Sequence, residues 1–424
     1  MSLPRAALAA VILCLCASTV ASAEPVLTLN EAFRRVIDSH PDLKTYRFTE
    51  QSLAAEVDSA AQAPALRWHS EIENALGSGE ASGFGGAELT LSLASVIERG
   101  EKRAARESLA RRRLEGVELM REARKLDLLA EVARRYLDAQ AAKALSDLAT
   151  DDLAQRETLV DAARKRRRAG AEPESVVLAA DATRVRVEGE RDRSLRASAH
   201  AMQRLVMLWD GDLAALRLAE VDLGTVPAVP DRNRLIRQLA DTPELQRFAH
   251  ESRLREARLQ LARTTRIADI DWQIGLRRLQ ADGDWALLGS VSVPFGSASR
   301  AEPGLRAAEA ELAALEFERE SQQRALASTL DEAWSRLDLA VTHAQQIDAQ
   351  LLPALHAAAE AAGRSYRAGA ASHLEWAQLQ GELVEARRQR LDAALAAHRA
   401  LIELQRLTGQ SFTVDSAPSE GISP

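Results

Sequence analysis

Cysteine, proline and aromatic residues are scarce in this sequence. Of its 424 residues, 2 are Cys, 13 are Pro and 4% are aromatic. Cys14 and Cys16 both lie within the first 23 residues, so the rest of the chain can form neither a disulfide nor a thiolate metal site. Few prolines and aromatics beside abundant Ala, Leu, Arg and Glu are typical of long helices rather than of a compact α/β enzyme.

Signatures of catalysis and of nucleic-acid binding are also missing. The sequence contains no G-x-S-x-G, H-E-x-x-H, P-loop or G-x-G-x-x-G pattern, so we expect no catalytic residue and no cofactor. Its eight histidines are dispersed, which predicts no high-affinity metal site, and we expect His69 and His373 to be solvated. The net charge of −7 gives no basic surface for nucleic acid.

Residues 1–23 have the features of a signal peptide. A basic residue precedes an apolar run, and the small-x-small sequence Ala21-Ser22-Ala23 follows. We therefore expect export and a mature chain that begins at Glu24. The alternative is a lipidated N-terminus at Cys16, but a leucine precedes this cysteine where lipoproteins usually have a small residue.

Beyond residue 23 no run of 18 or more apolar residues occurs, so we expect no membrane-spanning helix. Four segments instead alternate apolar and polar residues, as strands do when one face meets lipid and the other meets water. They predict β-hairpins at 66–96 and 268–295, and the alternative is a small soluble sheet packed on helices. The side chains predicted to face lipid are Trp68, Trp272, Ile274, Trp285, Val291 and Val293.

Four strands are too few for a membrane barrel, which needs about eight. An open sheet edge in lipid would leave backbone groups unpaired, at several kcal/mol each. If these strands enter a membrane, several copies of the chain must share one barrel.

The chain contains an internal repeat. Arg-Ala-Gly-Ala occurs around Gly170 and again around Gly369, about 200 residues later, and His-Pro-Asp-Leu at 40–43 is echoed by Thr-Pro-Glu-Leu at 242–245. Self-similarity over half the chain indicates a duplicated unit. The predicted units are a first repeat 24–225 with a helical hairpin 101–208, a second repeat 226–410 with a helical hairpin 304–408, and a flexible tail 411–424.

Each helical hairpin is predicted to turn at its glycine. Residues 101–168 contain no proline and repeat apolar side chains at spacings of three and four, which indicates a long coiled-coil helix. A glycine after such a helix supplies the positive φ that the turn requires. The basic run Arg166-Arg167-Arg168 before Gly170 has two interpretations, namely stabilisation of the helix dipole or contact with a partner.

The order of these motifs resembles that of the TolC-like outer-membrane efflux proteins. The motifs are Leu27-Thr28-Leu29-Asn30-Glu31-Ala32, the His-Pro-Asp-Leu sequence, the strand pairs, Tyr366-Arg367-Ala368-Gly369 and a terminal Leu407-Thr408-Gly409. The resemblance covers nearly all of the expected mature chain. It implies a fold that is mainly α with membrane β: a homotrimer whose helical hairpins form a periplasmic α-barrel tunnel, joined to a shared 12-stranded outer-membrane β-barrel.

The resemblance also implies partners and sites. A periplasmic adaptor (membrane fusion) protein would dock at the hairpin tips, and an inner-membrane pump of the resistance-nodulation-division type would supply the substrate. Outer-membrane lipid would surround the barrel. Gly170 and Gly369 match the docking tips, and we expect the flanking Arg168, Tyr366 and Arg367 to contact the adaptor. Glu375 lies at the position that matches an acidic ring at the periplasmic aperture. An ordinary first-turn glutamate is the alternative interpretation of Glu375.

A narrower resemblance concerns residues 98–106. Gly100, Lys102, Arg103 and Arg106 are similar to the G-x-K-R-x-x-R segment of the cobalt-zinc-cadmium branch, although a basic stretch that starts a helix is the alternative. The expected function is thus a passive exit duct of a tripartite efflux system, with divalent heavy-metal cations as its substrate. The alternatives are a duct for drugs or secreted proteins and, in another class, a periplasmic coiled-coil adaptor or scaffold.

Overall fold

The computed structural model describes residues 26–211 and 216–413. The predicted signal peptide 1–23, Cys14, Cys16 and Glu24 lie outside these ranges. Within them, no helix combines the length and hydropathy needed to cross a membrane.

Two repeats make up the described chain, and each contains two shorter helices, a β-hairpin and a long helical hairpin. The first consists of β1 (Val26–Leu27), α1 (Leu29–Ser39), α2 (Pro41–Ala60), β2 (Arg67–Glu73), β3 (Glu88–Ile97), α3 (Lys102–Arg168), α4 (Glu174–Val206) and β4 (Arg217–Leu218). The second consists of α5 (Arg232–Gln238), α6 (Pro243–Thr264), β5 (Ile270–Leu279), β6 (Trp285–Ser292), α7 (Ser297–Gln346), α8 (Leu352–Ala368) and α9 (His373–Thr408).

The two β-hairpins join into one antiparallel sheet of four strands in the order β2-β3-β5-β6. Pairing of β3 with β5 aligns Leu93 with Ile274, and pairing of β5 with β6 aligns Trp272 with Val291. Because paired residues share a face, most apolar side chains of the four strands lie together on one side of the sheet, although Val96, Leu279 and Leu288 lie on the other. β2 and β6 are its outer strands.

The long helices extend away from the sheet. α3 has 67 residues, which at ~1.5 Å per residue makes it about 100 Å long. Its counterpart is interrupted by a π-helical turn at Ile347–Leu351, which separates α7 from α8. Asp348 lies in this turn and pairs with Arg390 of α9 at 2.8 Å.

Two sequence-based boundaries need correction. The second helical hairpin was predicted from residue 304, but α7 begins at Ser297 and contains Pro303. Proline is tolerated there because it lies within the first two turns and the carbonyl that it deprives of a donor belongs to exposed Ser299.

The predicted flexible tail also begins too early. Phe412 is buried with its ring 6.0 Å from that of Phe33, and Gln405 donates to the hydroxyl of Thr413 at 3.0 Å. The start of the tail is therefore docked, and residues 414–424 lie outside the described ranges.

The buried core lies midway along the long helices. One cluster joins α1, α3, the end of α4, α9 and Phe412, and a second joins α5, α7 and α9. Beyond the core, α3 packs between α4 and α9, and α9 packs on α7 and α8. The hairpins thus form a sheet-like layer whose outer members are α4 and the α7–α8 rod.

Candidate functional site: the hairpin tips and the amphipathic sheet

Both hairpin tips use the same backbone turn. After α3, Ala171 N–H donates to the Arg166 carbonyl at 2.9 Å and Gly170 N–H donates to the Arg167 carbonyl at 2.9 Å. After α8, Ala370 and Gly369 make the equivalent bonds to the carbonyls of Ser365 and Tyr366, at 2.9 and 3.0 Å. This pair of bonds is the Schellman motif, in which the first residue beyond the helix end adopts a left-handed conformation.

The glycines satisfy that requirement. Gly170 has φ 72° and Gly369 has φ 81°. Residues with a Cβ adopt such positive φ values only at a cost in conformational free energy. A Cβ at Gly170 would meet no atom within 4 Å, and at Gly369 only the end of Arg166 at 4.0 Å. The constraint is therefore conformational rather than steric, and both turns are open to an approaching partner.

Arg166 connects the two tips. Its guanidinium donates to the Tyr366 carbonyl at 2.7 Å and lies 4.8 Å from the centroid of the Tyr366 ring. A cation over an aromatic face adds to the hydrogen bond. One side chain at the end of α3 therefore holds the end of α8.

Tyr366 is a structural residue of the tip rather than an exposed contact. Only 1% of it is accessible, and its ring stacks on Trp376 at 5.2 Å and meets His373 edge-on at 5.7 Å. Burial, followed by the nearby Glu172 carboxylate, raises the pKa of its hydroxyl. A side chain this deeply buried offers no surface to a docking partner, so the predicted adaptor contact of Tyr366 needs correction.

His373 is buried too, so its prediction as a solvated side chain is wrong. Its Nε2 lies 3.2 Å from the Leu159 carbonyl of α3, and Leu159 belongs to the same small cluster as Tyr366 and Trp376. Sequence analysis missed Arg166 as a link and Trp376 as an anchor. Trp376 follows Gly369 by seven residues, and no pattern in the sequence of α9 indicates that its side chain packs against α3.

The other tip residues are accessible. Arg168, Gly170, Arg367 and Gly369 are all exposed at the ends of the two hairpins. Glu375 is exposed in the first turn of α9, where its N–H donates to the hydroxyl of the N-cap residue Ser372 at 3.1 Å. This geometry gives Glu375 a favourable position near a helix N-terminus whatever else it does.

A buried ion pair ties the two helical hairpins together above the tips. Arg156 and Asp152 are in contact at 2.9 Å, with side chains 10% and 11% accessible, and Arg156 also donates to the Ala377 carbonyl of α9 at 3.2 Å. Burial raises the pKa of the Asp152 carboxyl, an effect that Arg156 opposes. The link is a further contact between α3 and α9 that sequence analysis did not find.

The sheet at the opposite end has two chemically different faces. Val291, Trp285 and Trp68 are 72%, 61% and 65% accessible, and Ile274 and the partly buried Trp272 share their face. Val293 lies just beyond the end of β6 and is 38% accessible.

The other face is polar and cross-linked. Gln273 donates to Ser92 at 2.7 Å, and Arg277 contacts Glu73 at 2.8 Å and Glu88 at 2.7 Å. Opposite charges on adjacent strands stabilise their pairing. A sheet with one apolar and one charged face is suited to lie between an apolar environment and water.

The basic segment at 98–106 lies where the sheet joins the helices. Lys102 pairs with Asp269 at 2.7 Å, and Arg106 pairs with Glu98. A Cβ at Gly100 would lie 2.5 Å from Ile267, and its φ is 71°. This segment fastens the first repeat to the second, which is a structural reason for its glycine and its cations.

No cluster of His, Cys, Asp and Glu that could hold a metal ion occurs among residues 26–211 and 216–413. What the geometry provides is two open, cationic turns at one end and an amphipathic sheet at the other, about 100 Å apart along α3.

The family model of the outer membrane efflux proteins matches residues 33–209 and 236–410, one stretch in each repeat. The chain belongs to this family. It is an outer-membrane efflux channel protein, so the family and the location that the motif order predicted are confirmed. The family consists of channel proteins rather than enzymes.

Individual comparisons agree with this assignment. The chain is 26% identical over 325 residues to the cobalt-zinc-cadmium resistance protein CzcC of Cupriavidus metallidurans, covering 74% of this chain and 75% of the relative. The solved structure of CusC has a TM-score of 0.74 at 18% identity, covering 90% of this chain and 92% of CusC. A membrane protein from Pseudomonas aeruginosa has a TM-score of 0.72 at 20% identity, covering 90% and 93%. These structures confirm the predicted duplicated fold.

Proposed function

We propose that three copies of this chain form a passive outer-membrane exit duct for divalent heavy-metal cations. A periplasmic adaptor would dock at the hairpin tips, and an inner-membrane pump of the resistance-nodulation-division type would deliver the cations. The similarity to a cobalt-zinc-cadmium resistance protein supports the choice of substrate.

The main support for a trimer is the sheet, which is open at both edges. β2 and β6 each have one unpaired edge within the described chain, while the face of Trp285, Ile274 and Val291 is exposed and apolar. In lipid such edges must pair, and β6 of one copy beside β2 of the next would close a ring. Three copies would give a barrel of 12 strands, with the face of Arg277 turned inward.

The helical layer supports the same arrangement. Exposed apolar side chains lie along its outer members, with Leu178 and Val185 on α4 and Leu339 on α7. Contact between α4 of one copy and the α7–α8 rod of the next would cover them. The tunnel so formed would lead from the tips to the barrel.

We further propose that Arg168, Gly170, Arg367 and Gly369 form the docking surface and that Glu375 lines the aperture. Tyr366 would hold the docking turn in place from inside. No tight metal site is required, because passage through a channel needs weak binding.

The experiment compares a deletion strain carrying the wild-type gene with strains carrying Ile274→Arg or Gln273→Arg. We expect the wild type and Gln273→Arg to restore growth on zinc, cobalt and cadmium salts, and Ile274→Arg to fail to give heat-resistant trimers in the outer membrane. If the wild-type gene restored resistance to drugs but not to metal salts, the protein would instead be a multidrug duct. A protein found soluble in the periplasm would contradict the duct altogether.

A further inference from the structure

The tip end of the protein has a charge opposite to that of the whole chain. Residues 164–172 and 364–372 contain seven Lys and Arg residues and one acid, Glu172, whereas the net charge of the chain is −7. The two segments lie side by side because Arg166 binds the Tyr366 carbonyl. Their charges therefore add up in one place.

Part of this charge is already neutralised within the protomer. Arg164 lies 3.6 Å from Asp181, Arg167 3.1 Å from Glu174, Arg364 3.6 Å from Glu360, and Arg166 3.9 Å from Glu172. No ion pair of Lys165, Arg168 or Arg367 exists within residues 26–211 and 216–413, and all three are exposed. We call these three residues the cationic rim.

Small residues surround the rim. Ala169, Gly170 and Ala171 form one turn, and Ala368, Gly369 and Ala370 form the other, with open space around both glycines. A partner can approach the backbone of both turns closely and bring side chains against the cations. A narrow element such as the end of a helical hairpin fits this shape better than an extended flat surface does.

The rim conflicts with the proposed substrate unless it is covered. Repeated in three copies around a tunnel entrance, unpaired cations would repel divalent cations over roughly the 8 Å Debye length at physiological ionic strength. A partner with carboxylates would remove that repulsion as it docks.

We propose that the cationic rim is the docking surface for a protein whose contacting hairpin end is acidic. This inference rests on the proposed function, since it gives the chemistry of the adaptor at the tips. Docking neutralises Lys165, Arg168 and Arg367, and the neutralised entrance then admits cations.

The test uses full-length trimers in detergent and a designed antiparallel helical hairpin with glutamates at its turn. The matched probe has glutamine at the same positions. We expect the acidic hairpin to bind more tightly than the glutamine hairpin and its affinity to fall between 50 and 300 mM salt, because exposed ion pairs are screened. Equal affinities, or binding insensitive to salt, would overturn the proposal.

Variants identify the surface. The triple substitution Lys165→Gln, Arg168→Gln and Arg367→Gln should weaken binding of the acidic hairpin about tenfold, the sum of three modest exposed pairs. The control triple Arg266→Gln, Arg306→Gln and Arg319→Gln removes exposed arginines far from the tips and should bind as the wild type does. Equal loss in both triples would contradict a local rim.

Two further outcomes separate this proposal from the function on which it rests. Trimers that conduct cations but bind purified peptidoglycan, an anionic polymer, and not the acidic hairpin would overturn the protein partner and leave the duct intact. A wild-type chain that forms no conducting trimer in lipid bilayers would refute the proposed function, whatever the hairpin binds.

Discussion

The two ends of the protein place their aromatic side chains in opposite ways. At the sheet, Trp68 and Trp285 are 65% and 61% accessible, whereas at the tips Trp376 and Tyr366 are 8% and 1% accessible. Charged groups show the reverse, since Arg277 is paired on the sheet whereas Arg168 and Arg367 are exposed at the tips and make no ion pair among the described residues.

The difference indicates the solvent that each end meets. Exposed aromatic rings in a contiguous apolar face are costly in water and favourable at a membrane interface. Buried rings beneath exposed cations are the ordinary arrangement of a surface in water. One chain is therefore built for lipid at one end and for water at the other.

The largest expected effect comes from removing the tip anchor. Trp376→Ala deletes a buried ring stacked on Tyr366 and should destabilise the tip by about 3–5 kcal/mol. Hydrogen exchange of the amides at 359–379 should become faster in trimers. Trp285→Ala removes an exposed ring and should leave hydrogen exchange at the tip unchanged. Identical effects of the two variants would show that the two ends do not differ in how their aromatic rings contribute to stability.

A charge on the apolar face should be the next most damaging change. Ile274→Arg should cost ~2–4 kcal/mol if the residue lies near the bilayer midplane, and Val291→Arg should behave alike. Gln273→Arg and Ser292→Arg, on the polar face, should be tolerated. Yield of outer-membrane trimers measures the difference, and equal yields from both faces would show that the sheet does not enter lipid.

Backbone strain at the tip turns should have a smaller effect. Gly369→Ala forces a residue with a Cβ to φ 81° and should cost about 1–2 kcal/mol. Gly189→Ala in α4, where φ is not positive and nothing lies within 4 Å, should be neutral or slightly stabilising. Thermal unfolding compares the two. Valine at both Gly170 and Gly369 should abolish efflux while trimers remain in the membrane.

The sequence predicted what depends on local pattern. Alternation located all four strands, and the positive-φ glycines Gly170 and Gly369 lie at the predicted turns. These features follow from neighbouring residues, because side-chain alternation and turn conformation are properties of short segments.

Features that depend on the other repeat could not be predicted. Tyr366 and His373 are buried by contacts with Arg166 and Leu159, which lie about 200 residues earlier in the chain. Phe412 is buried because it reaches α1, at the opposite end of the sequence. No periodicity within a segment encodes such a contact, so these residues were wrongly predicted as exposed or flexible.

The smallest effect on stability is expected at the aperture, but its effect on conduction should be measurable. Glu375→Lys leaves the Ser372 cap bond to the backbone intact and should cost only ~0.3–1 kcal/mol through the helix dipole. If three copies of Glu375 line the constriction, the variant should lower cation conductance and weaken block by multivalent cations. Unchanged conductance in correctly assembled trimers would leave only the capping role.

Metal flux through the assembled protein tests the central claim most directly. Purified trimers reconstituted into vesicles loaded with Zn²⁺ or Cd²⁺ should release the ions without an energy source, and Ile274→Arg protein, which fails to insert, should not. Docking of the acidic hairpin at the tips should increase the release from wild-type trimers. Vesicles that retain their metal ions although heat-resistant trimers span the membrane would contradict an exit duct for divalent cations.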